Sequence, residues 1–300
     1  MKCLITGATG NIGSLVTRRL IDRGDRPCVL VRDAAKARSQ FGDAVEIRVC
    51  DLAADQASLS AAFAGIDSLF LLNSGPDLAT RDRVAAHAAR AAGVRQLVKL
   101  STLDVHSGVG TGPWHARGEA AVRGSGVPFT FIQTAAFMSN ALHWARSIEA
   151  EGVLRTSTGD GKIAFIHPAD IAEVSVRALT TQGHHGEEWV ITGPRALSYA
   201  EMAAVIGTAI GESVRFERIT DEEARVGTGA YAEALVDIWR AIREGRVATV
   251  TDEVQRILGR APASFDRWAA ENAGEFVRSG GTRGRRARSA EPPPSRSRAR

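Results

Sequence analysis

The chain of 300 residues is expected to fold as a doubly wound α/β protein with a parallel sheet. Two observations point there. Short, near-continuous apolar runs alternate with segments whose apolar residues recur at helical spacing through the first two thirds of the chain, and a glycine-rich turn joins the first such pair. Parallel strands covered on both faces read as unbroken apolar runs, and strand–helix–strand alternation supplies the crossovers that parallel pairing needs. The expected strands are Lys2–Ile5, Pro27–Arg32, Ala44–Cys50, Asp67–Leu72, Arg95–Ser101 and Pro128–Gln133. The segment between the first two carries Ile12, Leu15, Val16 and Leu20 on one helical face.

After residue 134 the rhythm changes. A strand is expected at Ile163–Ile166, a helix opening at Pro168 and running to Leu179, and a last sheet strand at Glu187–Ile191. Helices follow from Ser198, with a short strand at Ser213–Glu217. Residues 1–133 and 168–192 are thus expected to form the main α/β domain, and 134–167 and 193–277 a smaller, mostly helical lobe over one end of its sheet. Residues 278–300 carry eight arginines against Glu291, a balance of +7, so residues 1–277 sum to −3 within the formal +4 of the whole chain. The basicity belongs to this Arg-rich tail, whose composition cannot bury enough apolar surface to order, and it does not argue for a specific nucleic-acid partner.

Hydrophobic residues at 44% and charged residues at 24% exclude a wholly disordered chain. Cys3, Cys28 and Cys50 fall in apolar runs and read as free thiols in a reducing compartment. The uncharged stretch Gly124 to Ala145 is broken by Pro128, Gln133, Ser139, Asn140 and His143, which argues against a membrane span. The start of the chain leaves no room for a signal peptide before Gly7, and the protein is expected in the cytoplasm. A homodimer is compatible with the sequence.

The strongest motif is Ile5-Thr6-Gly7-Ala8-Thr9-Gly10-Asn11-Ile12-Gly13, after the first strand and at the opening of the first helix. Its three glycines allow a tight turn, close approach of backbone amides to a pyrophosphate and close packing of helix on strand, while the helix N-terminus supplies partial positive charge. The second strand ends in Arg32-Asp33. A cation there suits the 2′-phosphate of NADP(H), whereas an NAD(H) enzyme places a carboxylate for the ribose hydroxyl; alternation along the strand turns Asp33 away, so NADP(H) is favoured over NAD(H). Asp51-Leu52 and Asn73-Ser74, after the third and fourth strands, fall where the adenine and its ribose would rest, or act in helix capping and turns.

The glycine loop resembles that of the short-chain dehydrogenase/reductase superfamily. Trp114-His115-x-x-x-Glu119 followed by Ser125-Gly126-Val127-Pro128-Phe129-Thr130 resembles the NmrA-like branch of its atypical members, as do Phe137 to Asn140, Asp170-Ile171-Ala172 and Gly259-Arg260-Ala261-Pro262-x-Ser264-Phe265. The resemblance covers residues 1–277. It implies a Rossmann fold, NADP(H) binding, and either reduction of quinone-like or other conjugated acceptors or a cofactor-sensing regulatory role. An Arg-Pro pair common in the branch after the sixth strand is Gln133-Thr134 here.

The superfamily's usual acid, the Tyr of Tyr-x-x-x-Lys, cannot be assembled: Tyr199 and Tyr231 are followed four residues on by Ala203 and Leu235. Trp114 and His115 stand where that Tyr is expected, and Ser101 at the end of the fifth strand where its serine partner lies. His115 and Glu119, at i and i+4, share a helix face, so Glu119 could orient the imidazole and raise its pKa, making His115 a proton donor, or the pair is structural. Trp114, Phe137, Met138, Asn140 and Trp144 are the candidate wall for a small-molecule acceptor, or they pack between the lobes. The leading function is an NADP(H)-dependent reductase of quinones, enones or imines that works without a Tyr–Lys couple. The alternatives are a non-catalytic NADP(H)-sensing regulator acting through a protein partner, and an isomerase or dehydratase using its cofactor transiently.

Overall fold

The computed structural model describes residues 1–277; the expected tail, 278–300, lies outside the described residues. Six strands open the chain: β1 (Cys3–Thr6), β2 (Cys28–Val31), β3 (Glu46–Val49), β4 (Ser68–Leu71), β5 (Gln96–Thr102) and β6 (Phe129–Thr134). Between them lie α1 (Asn11–Asp22), α2 (Ala34–Phe41), α3 (Gln56–Ala62), α4 (Leu78–Ala91) and α5 (Gly112–Gly124). The later elements are α6 (Ala145–Glu151), β7 (Val153–Thr156), β8 (Lys162–Ile163), α7 (Pro168–Thr180), β9 (Glu187–Ile191), β10 (Leu197–Ser198), α8 (Tyr199–Ile210), β11 (Arg215–Arg218), α9 (Asp221–Ala224), α10 (Ala232–Arg243), α11 (Glu253–Leu258) and α12 (Phe265–Glu271).

Seven strands form one parallel sheet in the order β3-β2-β1-β4-β5-β6-β9. The chain winds outward one way from β1 and then the other way from β4, which opens a crevice over the C-terminal ends of these two strands. Ligands of doubly wound sheets bind at such a switch point. Thr6 Oγ1 stitches the two strands there, accepting from Leu72 N at 2.8 Å and lying 3.1 Å from the Phe70 and Leu72 carbonyls.

Strand alternation sends neighbouring residues to opposite layers. Ile5, Val29, Phe70 and Val98 pack with Ile12, Val16 and Leu20 of α1 and Ile171 and Val174 of α7. Leu4, Leu69 and Leu97 pack on the other face with Leu59, Ala85, Ala89 and Val122 of α3, α4 and α5. A third apolar cluster joins Met138, Ile148, Leu154, Phe165, Tyr199, Met202, Ile206, Ile242 and Trp268, beside two small sheets that pair β7 with β11 and β8 with β10. Helix α11 contributes Val254 and Ile257 to the α1–α7 layer.

Two expected strands are corrected in extent. Of Ile163–Ile166, only the start is laddered, with Lys162–Ile163 antiparallel to Leu197–Ser198; Ile166 instead forms an isolated bridge to Phe137. The strand expected at Ser213–Glu217 runs Arg215–Arg218, parallel to β7. The stretch Gly124 to Ala145 divides into the end of α5, β6 and a 3₁₀ segment at Met138–Trp144, and no helix among the described residues is long and apolar enough to cross a membrane. Cys3 and Cys28 are buried free thiols, and burial pushes each up to about 11, so neither offers a thiolate near neutral pH.

Candidate functional site

The glycine loop is built to let backbone, not side chains, face the crevice. Gly7 adopts φ +62°, a left-handed conformation that glycine takes without a steric penalty, and Gly10 N donates to its carbonyl at 3.0 Å. Gly13 sits in the first turn of α1 where a Cβ would stand 2.2 Å from Gly7 O. The helix therefore packs on the loop with no room for any other residue. Gly10 caps α1 without a side-chain bond, and the first turn holds no acidic residue, which leaves its leading amides and positive end for an anion. Ile12 is buried in the core and offers only its amide, while Thr9 is half-buried and Gly10 and Asn11 are exposed.

Arg32 is exposed directly beyond β2. The Asp33 carboxylate accepts from Ala35 N at 2.8 Å and Lys36 N at 3.1 Å, capping α2. The carboxylate that could have selected a ribose hydroxyl is thus engaged by a helix, and the guanidinium faces solvent. Asp51 accepts from Ala53 N at 2.9 Å in a turn, with Leu52 half-buried beside it. Asn73 Oδ1 accepts from Ser74 N at 2.9 Å, and its Nδ2 lies 3.3 Å from both Leu78 O and Asp82 Oδ1. Ser74 itself is exposed. A side-chain-free cradle, an uncapped helix terminus and an exposed arginine at the neighbouring strand end fit a phosphorylated dinucleotide.

At the ends of β5 and β6 the expected His115–Glu119 pair is not formed. Glu119 is buried and accepts from Ser101 Oγ at 2.6 Å and from Gln133 Nε2 at 3.1 and 3.2 Å. Arg123 Nη2 approaches its other oxygen at 3.5 Å and also pairs with Glu188. His106 Nε2 lies 2.8 Å from Gln133 Oε1. Helical spacing put His115 and Glu119 on one face, but two strand donors hold the carboxylate against the sheet. His115 Nδ1 is shielded and has no hydrogen-bond partner among the described residues. Burial, with the Lys99 ammonium adding to it, pushes the imidazole down to about 3. The expected rise is therefore reversed, and His115 is neutral near pH 7. Ser101 likewise spends its proton on Glu119.

A second network was not foreseen. Lys99 Nζ and Asp82 Oδ2 form an ion pair at 2.7 Å with both side chains wholly buried. A Cβ on Gly118 would stand 2.3 Å from that same carboxylate oxygen, so α5 closes over the pair. Asn73 reaches the other Asp82 oxygen. The network thus ties the ends of β4 and β5 to α4 beneath His115. Its sequence signal was a lone charge inside the apolar run Leu97-Val98-Lys99-Leu100.

The candidate acceptor wall divides. Met138 is buried in the third cluster. The Trp144 ring packs on Tyr199 at 5.2 Å and Phe165 at 6.3 Å. Met138 belongs to the C-terminal cluster and the half-buried Trp144 packs against it, because the segment that follows β6 folds onto that cluster. Phe137 is half-buried and Asn140 exposed. Asn11 Nδ2 donates to Ser139 Oγ at 2.7 Å, joining the glycine loop to this segment. Trp114 meets Tyr231, ring centroids 5.6 Å apart, so a tyrosine enters the site from the C-terminal part of the chain. His167 caps α7 through Ala169 N and meets Glu271 at 3.1 Å. Buried Asp170 accepts from Ala263 N at 2.7 Å and pairs with Arg260 at 2.8 Å, anchoring the Gly259-to-Phe265 motif.

This sheet, with a side-chain-free phosphate cradle at its switch point, defines a dinucleotide-binding protein of the doubly wound class. Residues 7–182 match the NAD(P)H-binding family, and the chain belongs to that family. It is 38% identical over 282 residues, 91% of this chain and 99% of the relative, to a (4-alkanoyl-5-oxo-2,5-dihydrofuran-3-yl)methyl phosphate reductase of Streptomyces griseus. It is 35% identical to an NAD(P)H azoreductase of Xenophilus azovorans, over 91% of this chain and 98% of that one. Among solved structures it is similar to an NADPH-dependent quinone oxidoreductase of Escherichia coli in complex with NADPH, with TM-score 0.82, 25% identity, and coverage of 90% of this chain and 99% of that chain.

Proposed function

We propose that the protein is an NADP(H)-dependent reductase that passes hydride to a small conjugated acceptor such as a quinone, enone or imine. The observation that carries this reading is the pairing of the open glycine cradle and exposed Arg32 with a far end of the crevice where His115 Nδ1 has no hydrogen-bond partner among the described residues and Ser101 is engaged by Glu119. The reductase and azoreductase relatives support the same reaction class. When bound, NADPH would supply the hydride. The leading amides of α1 would hold the pyrophosphate and Arg32 the 2′-phosphate, with Asp51, Leu52, Asn73 and Ser74 placed for the adenine and its ribose. Trp114, Phe137 and Asn140 border the acceptor.

His115 is neutral and Ser101 is engaged by Glu119, so these groups position rather than protonate. Conjugation spreads the negative charge that reduction leaves on the acceptor, and solvent can protonate it afterwards. Orientation of the two reactants then supplies most of the catalysis. The test is NADPH oxidation followed at 340 nm across a panel of quinones, enones and imines, with cofactor affinities measured in parallel. Turnover with NADPH exceeding that with NADH is expected. Inertness toward every acceptor, with NADP+ and NADPH bound at clearly different affinities, would replace the enzyme by the redox-sensing regulator.

A further inference from the structure

Arg81, in the first turns of α4, folds back under the loop that leaves β4 and donates through Nη2 to Ser74 O at 2.6 Å. Its Nε is shielded from solvent and has no hydrogen-bond partner among the described residues. None of the ion pairs among the described residues includes Arg81, whose one side-chain hydrogen bond is the one to Ser74 O. Tyr231 comes to the same loop from the turn Gly229–Tyr231, with its ring against Trp114. Gly75 lies between the two groups. Its φ is +96°, and a Cβ there would stand 3.3 Å from Arg81 Nη2 and 3.6 Å from Tyr231 Oη. Guanidinium and phenol therefore converge over a stretch of backbone that carries no side chain. They do so at the C-terminal end of β4, beside Trp114 and on the opposite side of β1 from Arg32.

A planar guanidinium with unused N–H groups matches the oxygens of a phosphate, sulfonate or carboxylate, and a phenol adds a further donor. The half-buried guanidinium leaves its shielded Nε–H without a hydrogen bond, and an oxyanion seated there would satisfy it. We infer that Arg81 and Tyr231 form a recognition corner for an anionic substituent of the acceptor, which makes the preferred substrates conjugated compounds that carry one. The inference rests on the reductase reading and names the substrate class of that same site. It places the anion on the acceptor rather than on the cofactor's pyrophosphate, because the α1 terminus already serves the latter.

The test compares 1,4-naphthoquinone-2-sulfonate with 1,4-naphthoquinone in the full-length protein and in Arg81→Gln, Arg81→Lys and Tyr231→Phe. The ratio of kcat/KM for the two acceptors within each variant cancels their intrinsic reactivities. Arg81→Gln should lower the preference for the sulfonated acceptor by about 10–100-fold, the range of a charge-assisted hydrogen bond. Tyr231→Phe should lower it a few-fold, and Arg81→Lys should fall between wild type and Arg81→Gln. Equal losses for both acceptors, or a loss seen instead in NADPH affinity, would overturn the assignment. A second arm titrates naphthalene-2-sulfonate into the NADP+-loaded protein by calorimetry and needs no turnover. Arg81-dependent binding in a protein that oxidises NADPH with no acceptor would sink the reductase reading and keep the corner. Binding that ignores Arg81 would sink the corner in an active enzyme.

Discussion

Lys99→Met isolates the buried network beneath the site. The native pair is 2.7 Å apart with both side chains fully shielded, and at an effective dielectric near 20 the attraction is about 6 kcal/mol. Desolvation of both ions offsets much of that, so the pair adds little net stability, but removing one partner strands the other. Asp82 would keep only Asn73 Nδ2 at 3.3 Å, and Gly118 packed against its Oδ2 leaves no space for water to enter on that side. The expected loss is about 3–5 kcal/mol, or about 6–10 °C in Tm at roughly 2 °C per kcal/mol for a chain of this size. Asp82→Asn should cost a similar amount by stranding Lys99. The double variant should cost clearly less than the two losses added, with a coupling of about 2 kcal/mol or more. Urea unfolding of the four proteins measures this cycle. Losses that add within about 0.5 kcal/mol would refute the claim that the two ions neutralise each other in the fold.

Three further outcomes are expected. Gly13→Ala forces a Cβ to 2.2 Å from Gly7 O, so it should lower Tm and abolish NADPH binding together; a stable variant with native affinity by calorimetry would show that the cradle yields. Arg32→Ala should weaken NADP(H) by about 1.5–3 kcal/mol, the worth of a hydrogen bond to a charged group, and leave NAD(H) unchanged, whereas equal loss for both would remove Arg32 from the 2′-phosphate. Because the folded His115 pKa, about 3, lies below its unfolded value near 6.5, the unfolded chain binds the proton first. The stability contributed by neutral His115 is full above about pH 6.5 and is lost as pH falls toward 3. His115→Asn should flatten the decline of the urea midpoint between pH 6.5 and 4, and an unchanged decline would contradict the burial of that ring.

The order of elements through β6, and β9 to the residue, was legible because each rests on local pattern: an apolar run, a helical face, a glycine turn. The geometry of the glycine loop was legible for the same reason, since Gly7, Gly10 and Gly13 lie within one loop and one helix. What could not be read were partners brought together by pairing of distant strands. Glu119 was assigned to His115 by helical spacing, but its donors Ser101 and Gln133 come from β5 and β6, whose register alone sets them beside it. Met138 and Trp144 carried the residue types of a binding wall, and nothing local showed that the chain beyond β6 would bury Met138 and pack Trp144 against Phe165 and Tyr199. Lys99 did carry a warning, because a lysine inside an apolar strand must find a buried partner. Tyr231 carried none, since its approach to Trp114 depends on the path of more than a hundred intervening residues.

Single-turnover oxidation of bound NADPH, monitored at 340 nm with 4,4-dideuterated and unlabelled cofactor, tests the central claim most directly. With an acceptor such as 1,4-naphthoquinone-2-sulfonate, the account predicts stoichiometric loss of absorbance and a slower rate with the deuterated cofactor, as expected when the C4 hydride moves in the step observed. Persistent absorbance at 340 nm with every quinone, enone and imine supplied to the NADPH-loaded protein would contradict it.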